Sequence, residues 1–141
     1  LLGVPTLATT QYAERMGGVI PSIAALLPEG GPEPLDKLTF SCAGNEAFRD
    51  FLQSAGRRQI VLCGVETHIC VAQTALDLAH LGYQTHVAAD AVSARTLEKH
   101  KLGMERIRDS AVLPCAAESA VYELLEEAGT PEFKAVLRLV K

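Results

Sequence analysis

The residues 64–70 (Gly-Val-Glu-Thr-His-Ile-Cys) place a cysteine in the first turn of a predicted helix, directly after a predicted strand. In α/β sheets, ligands gather at the carboxyl ends of the strands, where unpaired amides and the positive end of a helix dipole also lie. Such surroundings lower the pKa of a thiol, and the thiolate is the form that attacks carbon. Cys70 is therefore a candidate nucleophile.

Two interpretations of this cysteine follow from the spacing alone. Thr67 is the predicted N-cap of the helix, and its hydroxyl would accept a hydrogen bond from the Cys70 amide. Alternatively, Cys70 is a small core residue, because free cysteines commonly pack as apolar side chains. Cys63 in the preceding strand is predicted to pack, and Cys42 and Cys115 have no placement that indicates chemistry.

The elements that position this turn alternate short apolar runs with segments of helical period. This alternation is typical of an α/β fold, a parallel sheet covered by helices. Residues 59–64 lack polar alternation, which predicts a central strand buried on both faces. From Thr67 to about Leu81 the apolar residues follow a period of 3.6, which predicts an amphipathic helix. Other strands are predicted over 4–8, 38–41, 84–89 and 111–113, and other helices over 45–55, 96–109, 116–128 and 131–140.

Length and composition exclude several classes of function. The 141 residues, 48% of them hydrophobic and 21% charged, fit one globular domain over residues 1–141. A net charge of −4 without a cluster of lysine or arginine argues against a nucleic-acid partner. The apolar runs are far shorter than the roughly 20 residues that span a bilayer. Because no signal-peptide pattern is visible, we expect no membrane partner and a cytoplasmic location.

The four cysteines are irregularly spaced, which predicts reduced thiols rather than a disulfide framework. No Cys-x-x-Cys pair and no finger-like His/Cys spacing occurs, so no metal site is predicted. No Gly-x-Gly-x-x-Gly follows a strand, which argues against a dinucleotide-binding protein. The sequence thus predicts an activity without metal or cofactor.

Several segments together resemble the isochorismatase-like cysteine hydrolases, and most of all the isochorismatase-domain-containing hydrolases. The resemblance spans nearly the whole chain. Its central part runs from Gly64 to Arg95 and includes the cysteine turn. The matching segments are 10–12, 37–42, 64–71, 73–78, 82–95, 118–119 and 131–134.

The resemblance implies a six-stranded parallel sheet with an Asp-Lys-Cys triad, in which the cysteine attacks a carbonyl or related carbon. Cys70 matches the family's cysteine, and Lys37 matches the lysine whose ammonium stabilises the thiolate. The resemblance also implies a cis peptide at Val65–Glu66 and an oxyanion hole from the amides of Glu66 and Cys70. Gln11 and Tyr12 are expected to line the substrate pocket, and His68 either borders this pocket or faces solvent.

The sequence departs from the family pattern in its acidic residue. The family's aspartate ends the first strand of the sheet, in an Asp-x-Gln motif that would precede Leu1. Asp36 and Asp90 do not stand in that motif, although Asp90 lies where it could order a loop at the site. We therefore expect the domain to be incomplete at its N-terminal side, without a central strand. The nicotinamidase Asp-x-His metal pattern is also not found at 10–12.

The leading functional hypothesis is a cysteine hydrolase that cleaves a small amide or related C–N bond through a covalent cysteine intermediate. One alternative is vinyl ether hydrolysis of the isochorismate type, which does not need the thiol. Another is a catalytically silent member that serves as a binding or scaffold protein. The resemblance further implies a small-molecule substrate and a homo-oligomer.

Overall fold

The strands pair in parallel, as alternating strand and helix segments predict. In the computed structural model, which describes residues 1–140, β1 (Thr9–Gln11) pairs with β2 (Leu35–Lys37). A second sheet has the order β3-β4-β5, formed by Gln59–Val65, Gln84–Ser93 and Leu113–Cys115. Helices flank these strands, and the predicted α/β class is confirmed.

Two of the predicted helices begin at residues whose side chains cap them. Asn45 and Thr96 accept hydrogen bonds from the amides of Phe48 and Lys99, and so begin α3 and α5 as predicted. A π-helical turn, Thr67–Val71, continues directly into α4. The helices are α1 (Ala13–Met16), α2 (Pro21–Ala24), α3 (Glu46–Ala55), α4 (Ala72–His80), α5 (Leu97–Arg108), α6 (Ala117–Leu125) and α7 (Pro131–Leu137), with a 3-10 turn at Cys42–Gly44. None of those formed by residues 1–140 is long and apolar enough to cross a membrane.

Helix α4 joins the two parts of the core. Ala72 and Ala75 pack with Met104 and Ile107 of α5 in one apolar cluster, whereas Leu78 packs with Phe48 of α3 in the other. Leu78 is fully buried. Burying a leucine side chain contributes roughly 1.5–3 kcal/mol. The helix that follows Cys70 is therefore anchored along its whole length.

The prediction of a central, doubly buried strand at 59–64 is wrong for residues 1–140. β3 pairs only with β4, and its outer edge has no neighbouring strand within this range. Val61 and Val65 are 50% and 69% exposed, and Cys63 is exposed rather than packed. An apolar run indicates that a strand is suited to burial, but the run does not show which part of a protein covers the strand.

Other boundaries also differ from prediction. Residues 4–8 form no strand, and β1 starts at Thr9. Pro5, which lacks an amide donor, lies within the predicted run. The predicted strand at 38–41 is a loop, and β2 instead ends at Lys37. The last strand starts at Leu113 rather than 111, and α6 and α7 are shorter than predicted.

Candidate active site

Cys70 lies in the π-helical turn that follows β3, as predicted. Gly64 has φ 116°, a conformation that favours glycine, and the Val65–Glu66 peptide bond is cis. The Glu66 carbonyl accepts hydrogen bonds from the amides of Ile69 and Val71 at 3.1 and 3.3 Å. These bonds start the turn and hold a partly buried Cys70 at the carboxyl end of the strand.

Thr67 does not cap this turn, which corrects the prediction. Its side chain is fully buried, and Oγ1 lies 3.0 Å from Nδ1 of His100 on α5. Glu66 occupies the N-cap position without a side-chain capping bond. The Thr67 hydroxyl therefore ties the cysteine turn to α5 instead of satisfying an amide of its own helix.

Helix α5 approaches the cysteine turn closely at Gly103. A Cβ at this position would lie 2.9 Å from both N and Cα of His68. Only a residue without a side chain fits such an approach to backbone atoms. Sequence reasoning gave His100 no partner. Gly103, a glycine within the predicted helix over 96–109, was the available sequence signal that another segment of backbone packs closely against this helix.

The Lys37 ammonium is enclosed at the end of β2. The side chain is 6% exposed, and Nζ donates to Gln11 Oε1 at 2.6 Å and to the carbonyls of Thr39 and Phe40 at 3.1 and 3.0 Å. An ammonium carries three donors, and these partners satisfy all of them. A buried charge needs such hydrogen-bond partners. The loop over residues 38–44, which follows β2, supplies two of them as backbone carbonyls.

Gln11 brings the candidate lysine and cysteine together. Its Nε2 donates to the Leu38 carbonyl at 2.9 Å, which fixes the amide. Its Oε1 accepts from Lys37 Nζ and lies 3.9 Å from Cys70 Sγ, within the range of a thiol hydrogen bond. The side chains of Lys37 and Cys70, two predicted site residues from different elements, thus meet at the amide oxygen of a third, Gln11.

Residues 2–119 match the sequence model of the isochorismatase domain. The chain belongs to the isochorismatase family of hydrolases. Its sequence is 42% identical over 144 residues to the secreted isochorismatase effector Isc1 of Phytophthora sojae, covering 100% of this chain and 68% of that protein. It is 36% identical over 142 residues to isochorismatase domain-containing protein 2A of Mus musculus, covering 100% and 66%. The predicted resemblance is confirmed.

A solved structure of the MAR1 ribonuclease from Caenorhabditis elegans superimposes with a TM-score of 0.89 at 30% identity, covering 96% of this chain and 69% of that one. The chain therefore spans about two thirds of the length of these relatives. The isochorismatase fold is shown by this likeness.

The other predicted pocket residues of this isochorismatase-family chain lie around the same site. Tyr12 follows Gln11 with φ 50°, and its amide donates to the Lys37 carbonyl at 3.0 Å, while its side chain is 40% exposed. His68 Nδ1 lies 3.5 Å from a carboxylate oxygen of Glu66. Tyr12 therefore supports β2 through its backbone, and His68 adjoins a charged group.

Glu66 forms an ion pair at the edge of the cysteine turn. Both of its carboxylate oxygens accept from Nε of Arg95, at 3.0 and 3.1 Å. The hydrogen bond from Arg95 lowers the pKa of the Glu66 carboxyl below its ordinary value. The pair links the turn to the segment after β4. Arg95 was part of the family resemblance, but sequence reasoning gave it no role.

Neither acidic residue weighed from the sequence completes the site. Asp36 Oδ1 accepts from the Ala13 amide and the Thr10 hydroxyl, both at 2.9 Å, and these bonds lower the pKa of Asp36. Asp90 Oδ1 accepts from the Ala117 amide at 2.7 Å, so it fixes the start of α6. Within residues 1–140, neither carboxylate makes a hydrogen bond or salt bridge to the Lys37 ammonium or to the Cys70 thiol. In the same range, no three His, Cys, Asp or Glu side chains are grouped as metal ligands.

Proposed function

We propose that this chain carries the nucleophile and the activating lysine of a hydrolase that cleaves small amides or related C–N bonds. The observation that carries the proposal is the meeting of Lys37 Nζ and Cys70 Sγ at the same Gln11 oxygen. A cation beside a cysteine at the start of a helix favours the thiolate. Membership of the isochorismatase family supports hydrolysis as the reaction type.

In the proposed reaction, the Cys70 thiolate attacks the substrate carbonyl carbon. A C–S bond forms, and the C=O π electrons move to oxygen. The amides of Glu66 and Cys70 are proposed to bind this oxyanion, and such donors contribute a factor of roughly 10² to 10³ in rate. The intermediate collapses with cleavage of the C–N bond, and the nitrogen leaves as a protonated amine. Water then cleaves the thioester to a carboxylic acid and frees the thiol.

The proposed cycle requires a group that moves protons. The Gln11 amide oxygen beside Cys70 accepts hydrogen bonds but is not a base, and the Lys37 donors are all occupied. The resemblance implies that an aspartate takes the proton from the thiol and returns it to the leaving nitrogen. We propose that a carboxylate in this role would approach Lys37 and Cys70.

The experiment compares Cys70→Ser with Cys63→Ser in the purified protein. Cys63 is exposed on β3, so its replacement is the matched control. A panel of small primary amides is screened for ammonia release, and the intact mass is followed for a transient acyl adduct. We expect Cys70→Ser to lose at least about 10³-fold in kcat/KM together with the adduct, and Cys63→Ser to retain both. Equal activity of the two variants would contradict the proposal.

The same variants separate the alternative functions. Vinyl ether hydrolysis does not need the thiol, so retained activity on such a substrate in Cys70→Ala would favour it. The Caenorhabditis elegans relative is named a ribonuclease. RNA therefore belongs in the screen, although the net charge of −4 favours a small-molecule substrate over nucleic acid. An unreactive Cys70 and no turnover would favour a binding or scaffold role.

We further propose that the protein acts as a homo-oligomer in the cytoplasm and without a metal or cofactor. Exposed apolar side chains on several helices, among them Leu97, Leu102 and Leu124, offer surfaces for self-association. The Phytophthora sojae relative is named as secreted, so fractionation of cells and medium tests the location directly. Recovery mainly in the medium would contradict a cytoplasmic enzyme.

A further inference from the structure

A single hydrogen bond joins the loop around Lys37 to the helix that follows Cys70. The Cys42 amide, at the end of this loop, donates to Oγ1 of Thr74 on α4 at 2.9 Å. Within the described chain, no other hydrogen bond links residues 35–45 to residues 66–80. The relative position of the Lys37 ammonium and the Cys70 thiol thus depends on this hydrogen bond, on the Gln11 bridge and on the packing around them.

Thr74 is placed to transmit position to Cys70. It is 2% exposed, and it lies about one helical turn after the cysteine on a helix that continues without a break from the π-helical turn. The buried apolar neighbours Ala75 and Leu78 fix that helix against both core clusters. The threonine hydroxyl is therefore a fixed acceptor.

The loop is rigid enough to carry the constraint to the lysine. Thr39 Oγ1 donates to the Ser41 carbonyl at 2.9 Å, while the Thr39 carbonyl accepts from Lys37 Nζ at 3.1 Å. A Cβ on Gly44 would lie 3.1 Å from the Thr39 side chain. Because the loop is this closely packed, a shift of the Cys42 amide would also move the carbonyls around the ammonium.

We propose that Thr74 is a positioning residue, which holds the Lys37 loop at the distance from Cys70 that thiolate formation needs. This inference rests on the proposed function, because it concerns how the same two groups are kept together. Thr74 acts through the Cys42 amide and has no contact of its own with substrate.

Removing the hydroxyl leaves the amide of the partly buried Cys42 without its acceptor. Thr74→Val preserves the shape of the side chain, but the Cys42 amide must then find another partner or lose a hydrogen bond. The loop can move so that the Cys42 amide finds another acceptor. We expect this movement to draw the Lys37 ammonium away from Cys70. The thiolate is then less stabilised, so Cys70 should react only at higher pH.

The test is the rate of iodoacetamide labelling at Cys70 as a function of pH, read by peptide mass spectrometry. For Thr74→Val we expect the labelling midpoint to rise by about one pH unit, so that labelling below the midpoint is about tenfold slower. Thr74→Ser retains the hydroxyl and should restore the wild-type midpoint. Thr85→Val is the matched control, because Thr85 is fully buried and, among residues 1–140, its hydroxyl bonds only to the Tyr83 carbonyl.

A second pair keeps the inference testable if Thr74→Val does not fold. Thr74→Ala and Thr74→Ser both lose the methyl group and differ in the hydroxyl, and we expect only Thr74→Ala to raise the midpoint. A folded hydroxyl-free variant with the wild-type midpoint would overturn the role of Thr74 while leaving the proposed function intact. A wild-type Cys70 that labels no faster than Cys63 would overturn both.

Discussion

The two halves of the candidate site are held in different ways. The Lys37 ammonium is buried and makes three hydrogen bonds at 2.6–3.1 Å. Within residues 1–140, the Cys70 thiol makes one side-chain hydrogen bond, at 3.9 Å to Gln11. The lysine is thus part of the structure of its loop, whereas the thiol is positioned by its backbone and left available. In the proposed mechanism, this difference separates a group that must stay fixed from one that must form and break bonds.

The contrast predicts the largest effect at Lys37. Lys37→Met leaves the Gln11 amide oxygen and the carbonyls of Thr39 and Phe40 without their common donor. We expect a loss of about 2–4 kcal/mol in the free energy of unfolding and at least about 10³-fold in kcat/KM. Urea unfolding and amide hydrolysis measure the two. Lys101→Met, at an exposed position on α5, should be neutral.

Cys70 should show the opposite balance. We expect Cys70→Ser to lose activity as strongly as Lys37→Met but to change the free energy of unfolding by less than about 1 kcal/mol, because a single long contact is altered. Urea unfolding of the two variants side by side measures the difference. Equal destabilisation would show that the thiol is a structural group like the ammonium.

Gln11 joins the two halves, and its replacement should lower both stability and activity. Gln11→Leu removes an acceptor from Lys37 and the donor to the Leu38 carbonyl. We expect about 1–3 kcal/mol of destabilisation and about 10²-fold lower kcat/KM. Gln11→Glu keeps an acceptor for the lysine, so it should retain stability better than Gln11→Leu. If both variants match wild type in activity, the bridge has no part in the reaction.

The support of the cysteine turn by α5 should have a smaller effect. Thr67→Val and His100→Phe each remove the same hydrogen bond, and each should cost about 0.5–1.5 kcal/mol. In a double-mutant cycle, the double variant should therefore be less destabilised than the sum of the two single variants. Strict additivity in thermal or urea unfolding would show that the Thr67–His100 contact contributes nothing.

The smallest predicted effect depends on pH and involves Glu66 and Arg95. Because Arg95 lowers the pKa of Glu66 in the folded chain, the pair stabilises the fold at pH values above the ordinary glutamate pKa of 4.5. That contribution is lost as the pH falls through the lower folded value. Arg95→Gln should therefore have a lower Tm than wild type at about pH 6, and the gap should close in acid. A gap independent of pH would contradict this assignment.

The local parts of this account were visible in the sequence. Asn45 and Thr96 begin helices as predicted, because capping depends on residues within one turn. Cys70 was placed correctly because a strand, a short turn and a helix follow one another along the chain. Lys37 was predicted as a site residue only through the family resemblance, since an isolated lysine in a sequence gives no sign that it will be buried.

The contacts between elements could not be predicted in the same way. Gln11 was expected to line the pocket, but its bridge to Lys37 and Cys70 depends on how β1, β2 and α4 pack. The Thr67 hydroxyl had a plausible local partner, yet the approach of α5 gave it His100 instead. Tertiary packing thus gave Thr67 a partner other than the one that the local sequence predicted.

The most direct test of the central claim is the labelling of all four cysteines with iodoacetamide at about pH 7, in wild type and in Lys37→Met. We expect Cys70 to label at least about tenfold faster than the exposed Cys63 in wild type, and folded Lys37→Met to abolish this advantage. The same labelling order and rates in both proteins would show that the ammonium does not activate the thiol.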